Sequence, residues 1–200
     1  HKASSVRKGL NTAEHAQMAS QRHRFPGFDF RTRPVRDHLN PTAGHLLGEY
    51  AETTADDLSS DPFYRKGDRI GRSGLEKVYE LELRGGKGRE SVMVDAGNQV
   101  RNTAATSSDD RPAEAGQDLT LTLDLGLQQF AESLMDGKKG SVAAIEPASG
   151  EVPALVSAPD FDPGRLVGPE RGAYYRQPVA DPDKPLFNRA IKPTYRPGSI

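Results

Sequence analysis

The sequence predicts an α+β protein, on three observations. Ser73-Gly74-Leu75-Glu76 has the spacing of a capping box, in which serine and glutamate side chains satisfy unpaired N–H groups at a helix start. Leu75, Val78, Tyr79 and Leu83 then fall at i, i+3, i+4 and i+8, so one face of that helix is apolar. Further on, Leu119, Leu121 and Leu123 alternate with threonines in the period of a half-buried strand, and a second helical stripe follows. Third, the apolar runs Val142–Glu146 and Val152–Ser157 are joined by Pro147-Ala148-Ser149-Gly150, a connection suited to an antiparallel hairpin.

Two hundred residues are enough for one large domain or two smaller ones. With 34% hydrophobic and 28% charged residues, 20 Gly and 15 Pro, the chain is polar and loop-rich, and its core is divided into small pieces. A net charge of −1 supplies no field for nucleic acid or an anionic membrane surface, which argues against both partners. No Cys is present, so disulfides and thiolate metal sites are excluded while the compartment stays undecided. There is no run of about 18 apolar residues, so nothing in this stretch spans a bilayer as a helix. No signal peptide is recognisable, and the start at His1 reads as a cut.

In chain order, the first 24 residues are polar and expected to be poorly ordered, with one weakly patterned helical piece at Thr12–Ser20. Phe28 and Phe30 alternate with Asp29 and Arg31, and Val35 follows Pro34, as in an extended segment with one buried face. Asn40-Pro41 signals a turn, Ala43–Tyr50 is more apolar, and Glu52–Asp61 reads as a solvated loop. Gly85 and Gly86 stop the capped helix just past Arg84. Ser91–Asp95 carries Val92 and Val94 on one face, and Gly97-Asn98 turns the chain before Val100. Arg101–Gly116, rich in Thr, Ser, Asp and Ala with no apolar period, reads as an exposed loop or linker, which divides the chain into 1–116 and 117–200.

After the Leu119–Leu123 strand, Asp124 can cap a helix whose apolar positions are Leu127, Phe130, Ala131, Leu134 and Met135, ended by Asp136-Gly137. Pro153 cannot donate to a ladder, so the second hairpin strand is expected to be regular only from Ala154. Beyond Pro159 the chain is rich in Pro, Gly and Asp, with Tyr174-Tyr175 the one apolar patch before Leu186. That segment is expected to wrap the surface and deliver the chain to Ser199.

Ser199 is the candidate nucleophile. Pro197-Gly198-Ser199 by itself is a common turn, and a serine there is equally a helix N-cap. Both readings can hold, because a serine opening a helix gains from the positive end of the dipole. Asn188 and Arg189 are read as structural, fixing the run-up to the serine by hydrogen bonds. The five histidines, His23 and His38 among them, lack metal-ligand spacing and are read as solvent-exposed or incidental. Asp56-Asp57 and Asp109-Asp110 do not follow an EF-hand loop and read as solvated surface. Gly85-Gly86-Lys87-Gly88 follows a helix and lacks G-K-[ST], so a phosphate loop is rejected.

Ser199 draws its weight from ordered company. G-R-S-G-L-E at 71–76, L-R-G-G-K-G at 83–88, L-T-L-D-L-G-L-Q at 121–128 and A-L-V-S-A-P at 154–159 precede F-D-P at 161–163, N-R-A at 188–190 and Y-R-P-G-S at 195–199. In order and spacing these blocks resemble class B penicillin-binding proteins over residues 25–200. P-L-F-N-R-A with G-R-S-G-L-E resembles the elongation-type branch, penicillin-binding protein 2, more than the division-type branch.

The resemblance implies a membrane-proximal pedestal (dimerisation-type) domain over residues 1–116. From 117 it implies the first strand, helix and hairpin of a peptidoglycan D,D-transpeptidase domain. Ser199 would be the serine of Ser-x-x-Lys, acylated by the D-Ala–D-Ala carbonyl of a peptidoglycan stem peptide or by a β-lactam, with a lysine as base. That lysine falls two residues past Ile200, and Ser-x-Asn and Lys-Thr-Gly are not in this stretch, so it is expected to be catalytically incomplete alone. No metal or organic cofactor is implied. The implied partners are a cell-shape scaffold and glycan-polymerising membrane proteins. An upstream transmembrane helix would hold the protein to the bacterial cytoplasmic membrane, on its periplasmic face. Pro153 stands where an aliphatic residue is usual, and Arg196 where proline is frequent. Two other readings stay open. One is a non-catalytic binding module formed by residues 25–100, with Ser199 unused. The other is a penicillin-sensing or β-lactamase relative, against which the long N-terminal module argues.

Overall fold

The structure, a computed structural model, describes residues 6–7, 9–28, 30, 35–94, 100–103, 110–168 and 170–192. In chain order its elements are α1 (Thr12–Ser20), α2 (Gly44–Leu47), β1 (Tyr50–Glu52), α3 (Ala55–Ser60), β2 (Arg69–Gly71), α4 (Gly74–Val78), α5 (Glu80–Leu83), β3 (Val92–Val94), β4 (Val100–Thr103), α6 (Leu125–Leu134), β5 (Gly140–Ala144), β6 (Ala154–Ala158) and α7 (Arg171–Ala180). The fold is α+β: among the described residues the strands form antiparallel pairs, β1–β2, β3–β4 and β5–β6, with helices between them. Contacts divide the chain into two compact units, residues 1–35 with 84–117 and residues 36–83 with 118–200. One boundary falls at 117/118, and residues 36–83 join the C-terminal segment.

In the first unit, α1 lies where its weak pattern placed it, and local chemistry starts it. The Asn11 side chain accepts the Glu14 N–H at 2.8 Å, and the Glu14 carboxylate accepts the Asn11 N–H at 3.1 Å. The extended segment expected from Phe28 to Val35 does not bury its apolar face: Phe28 is 51% and Val35 59% exposed, and Asp29 and residues 31–34 lie outside the described residues. β3 and β4 pair, and the Gly97-Asn98 turn between them lies outside the described residues. The stretch expected to be a bare linker is partly laddered instead. It supplies most of β4, and Glu114 and Arg111 bridge to Gly86 and Arg89. Backbone pairing needs no apolar period, which is why composition did not show it. Gly85 sits at φ +63°, and a Cβ there would meet the Glu114 carbonyl oxygen at 2.3 Å.

In the second unit, β1 and β2 pair in register from Tyr50↔Gly71 to Glu52↔Arg69. The solvated loop expected between Glu52 and Asp61 contains α3, opened by a capping box of Thr54 and Asp57. Asp57 also takes the Arg72 guanidinium at 2.6 and 3.0 Å. Arg72 first, then Thr54, hold its carboxyl well below the ordinary carboxylate range.

The capping box expected at Ser73 is not made. Ser73 Oγ accepts the Glu49 N–H at 3.0 Å, and Glu76 pairs with Arg36 at 2.9 Å, so distant groups take both side chains. The helix breaks at Tyr79 into α4 and α5, and its expected apolar stripe is split, with Leu75 and Leu83 half-buried but Val78 73% and Tyr79 39% exposed. Polar contacts decide the inward face. Glu80 accepts the Gly71 N–H at 2.8 Å and the Tyr64 hydroxyl at 2.7 Å. The Gly71 backbone lies so close to α4 that a Cβ there would be 2.0 Å from the Glu76 carbonyl oxygen.

The strand expected at Leu119–Leu123 does not form, and the segment pairs in no ladder. Asp124 donates its N–H to the Pro153 carbonyl at 2.9 Å, and Pro153 has no N–H to return. Asp124 caps α6 as expected, accepting the Leu127 N–H at 2.7 Å. The expected stripe on α6 is also split: Leu127, Phe130 and Leu134 are exposed, Met135 is half-buried, and Ala131 is buried together with Gln128. The hairpin follows the sequence reading. β6 starts at Ala154, directly after Pro153, in register from Ala144↔Ala154 to Gly140↔Ala158. Its turn is closed by Glu146 N–H to Glu151 O at 2.9 Å and Gly150 N–H to Glu146 O at 2.8 Å. The segment beyond Pro159 does more than wrap the surface. Phe161, Leu166 and Val167 join Ala131, Ala154, Val156 and Ala158 in the core, and α7 follows. Those three residues are too scattered to show a period, so periodicity missed them.

Candidate functional site

Ser199 falls in residues 193–200, outside the described residues. The structure does describe how the chain ahead of it is fastened. Ser157 on β6 is buried; its Oγ accepts the Arg189 N–H at 2.9 Å and donates to the Phe187 carbonyl at 3.4 Å. The Arg189 guanidinium folds back onto the preceding turn, donating to the carbonyls of Asp183 (2.5 Å), Lys184 (3.1 Å) and Phe187 (3.2 Å). A planar five-donor fork suits that task, whereas an ammonium would satisfy fewer carbonyls in a fixed geometry. Asn188 is buried and accepts the Ala190 N–H at 3.0 Å through its side-chain oxygen. The structural role read for Asn188 and Arg189 therefore has named partners.

A second cluster was not visible in the sequence. Gln128, fully buried on α6, pairs with the Leu155 backbone twice: Oε1 accepts its N–H at 2.8 Å and Nε2 donates to its carbonyl at 3.0 Å. Nε2 also donates to Glu132 at 2.8 Å. Glu132 in turn accepts the Thr42 hydroxyl at 2.5 Å and the Ala43 N–H at 2.8 Å. Ala43 sits in the left-handed region at φ 56°, a conformation a non-glycine residue holds only when its surroundings fix it. This polar seam fastens residues 42–43 to the α6–β6 layer. Arg69, donating to the Val167 carbonyl at 2.8 Å, and the Arg171–Glu49 ion pair add to it. The only sequence signal was the i, i+4 spacing of Gln128 and Glu132 opposite the leucines.

His45 corrects the reading of the histidines as exposed. Its side chain is 7% exposed, packed edge-on against Phe161 at 5.0 Å, with Nε2 3.5 Å from Asp160 Oδ1. Burial lowers the pKa of His45 below its usual value. Burial, with Glu132 close by, raises Asp160 to about 7. Beside Asp160 opens a cleft of about 570 Å³ lined by Glu132, Met135, Lys139, Val156 and Asp183, in which Lys139 pairs with Asp183. Among the described residues no group of three or more His, Cys, Asp or Glu side chains is arranged to hold a metal, and no helix is long and apolar enough to cross a membrane.

Residues 1–121 match the family described as penicillin-binding protein dimerisation domain. The chain belongs to that family. It is homologous to the peptidoglycan D,D-transpeptidase MrdA of Acinetobacter baumannii, 32% identical over 98% of this chain and 29% of the relative, and to MrdA of Escherichia coli K12, 34% identical over 97% and 31%. The chain thus spans about a third of the length of these relatives. Among solved structures, a complex between the penicillin-binding protein PBP2 and MreC from Helicobacter pylori matches 90% of this chain and 33% of its own, with a TM-score of 0.73 at 25% identity. These matches agree with the elongation-type branch that the motifs pointed to. Within the matched residues, G-R-S-G-L-E lies at β2 and α4, where Gly71 and Ser73 make the close backbone contacts described above.

Proposed function

We propose that this chain is the dimerisation module and the opening of the catalytic domain of a serine-type peptidoglycan D,D-transpeptidase of the MrdA kind. The observation that carries the reading is the alignment to D,D-transpeptidases over 97–98% of the chain, which runs past the dimerisation domain through the N-R-A segment. On this reading residues 1–116 form the pedestal and residues from 117 open the transpeptidase domain.

Ser199 Oγ attacks the carbonyl between the two terminal D-alanines of a stem peptide and expels the last D-alanine. The resulting ester is attacked by an amine of a neighbouring stem peptide, which forms the cross-link and frees the serine. A lysine one helical turn later takes and returns the proton, and backbone N–H groups stabilise the oxyanion. β-Lactams acylate the same oxygen. The protein works at the periplasmic face of the cytoplasmic membrane, anchored by an upstream helix. The Ser157–Arg189 fastening supports this reading, since it ties the run-up to the serine to a sheet strand.

A labelled penicillin applied to the chain extended to the relatives' length tests it. Labelling that disappears with Ser199→Ala is expected. An extended, folded chain that takes no label, or keeps it in that variant, overturns it.

A second reading has its own support, because the family match covers 1–121 and a structural relative is bound to MreC. In that reading the pedestal docks a cell-shape scaffold or a glycan-polymerising partner. A solved peptidoglycan synthase complex that coordinates polymerization and crosslinking, similar over 90% of this chain at a TM-score of 0.69, points the same way. Pull-down of such a partner by the unextended chain is the expected result.

A further inference from the structure

We propose that His45 and Asp160, with Glu132 alongside, form a one-proton clasp that holds residues 42–47 on the exit of β6 and loosens as its proton is lost. Three consecutive residues hang on two carboxylates. Thr42 and Ala43 donate to Glu132, and the N–H of Gly44 donates to Asp160, which also accepts the Phe161 N–H at 2.7 Å. The approach is tight. A Cβ on Gly44 would lie 2.4 Å from the Phe161 carbonyl oxygen and 3.0 Å from Asp160 Oδ1.

Burial and the Glu132 charge close by both disfavour a bare Asp160 carboxylate, and a proton on Asp160 relieves them. His45 is placed to share that proton. Its Nε2 has no hydrogen-bond partner, and at 3.5 Å from Asp160 Oδ1 it stands just beyond bonding distance. The groups around it come from each neighbouring element. The carbonyls of Pro159 and Pro185 favour a protonated ring, while Arg189 and Lys192 oppose one. Asp160 faces Glu132 from α6 and the N–H groups of Gly44 and Phe161.

Near neutrality the pair holds one proton. In acid a second proton would make an imidazolium facing Arg189 and Lys192. In alkali the bare Asp160 carboxylate would face Glu132. The effect on stability follows from the two directions. The folded value of Asp160, about 7, lies above its ordinary 3.8, so the native state holds a proton that the unfolded chain lacks, and that contribution shrinks as pH climbs to about 7. The folded value of His45 lies below 6.5, so its contribution grows with pH up to 6.5. Below 6.5 the slopes oppose each other; above it only that of Asp160 remains, and the grip weakens across neutrality.

Amide hydrogen exchange of Ala43–Gly48 in the 200-residue chain, normalised to the β5–β6 ladder amides, tests the clasp between pH 6 and 8. Relative exchange is expected to rise about twofold with pH in the native sequence and not to rise in Asp160→Asn, which stays uncharged throughout and keeps only the opposing slope of His45. Identical pH profiles in the two proteins overturn the clasp. Should the variant fail to fold, the carbon-13 shift of the Asp160 carboxyl in the native chain decides: an inflection near 7 supports the clasp, and one near 4 overturns it.

Discussion

Strand β6 and helix α6 pack against each other, yet β6 turns a row of apolar side chains inward and α6 an amide beside a single alanine. β6 buries Ala154, Val156 and Ala158, while α6 buries Gln128 and leaves Leu127, Phe130 and Leu134 exposed at 40, 60 and 53%. The difference is set by the backbone of the strand. The N–H and C=O of Leu155 face α6, and an apolar side chain there would leave both unpaired. A primary amide carries one donor and one acceptor at the spacing needed to satisfy both, so Gln128 faces inward and the leucines face out. α4 and α5 repeat the pattern, with Glu76 and Glu80 bonded inward and Val78 and Leu81 exposed.

The sharpest way to break this comparison is to exchange the roles on α6. Gln128→Leu is expected to lower unfolding free energy by roughly 2–5 kcal/mol, since two buried backbone groups lose partners. Phe130→Ser should change it by about 0.5 kcal/mol or less. Equal losses in urea denaturation would show that the apolar stripe, and not the amide, holds the helix. Glu132→Ala comes next, at roughly 2–3 kcal/mol, because Thr42, Ala43 and Gln128 all donate to that carboxylate. Glu132→Gln keeps an acceptor and should recover about half of the loss. A smaller and more local effect is expected from Arg189→Lys: faster amide exchange within 183–190 and a loss of about 1 kcal/mol, as three carbonyls lose the fork. The smallest effect concerns Asp57. Its folded pKa is depressed below 3.8, so the stability it contributes is present above that value and lost as pH falls from there through the lower folded value. The urea midpoint of Arg72→Ala should therefore fall less steeply from about pH 5 to 2 than that of the native chain.

What could be read from the sequence was what neighbours in the chain decide. The start of β6 at Ala154 follows from Pro153, the Asp124 cap from its own first turn, and α1 from its weak local pattern. What could not be read depends on partners far along the chain. Ser73 had capping spacing but is used by Glu49, 24 residues earlier, and Glu132 meets Thr42 across 90 residues. His45 had no ligand spacing, and only the fold brings Phe161 and Asp160 against it. Asn188 and Arg189 were legible as hydrogen-bonding residues; Ser157, the partner of the Arg189 N–H on a different element, was not.

The central claim is that a polar seam, Gln128 with Glu132, fastens residues 42–43 to the strand behind the approach to Ser199. Native-state exchange of two amides, Ala43 and Leu155, tests it most directly, because each N–H donates to a side chain of that seam. Protection within about tenfold of the β5–β6 ladder amides is the predicted result. Exchange of either amide at the rate of an open loop would contradict it.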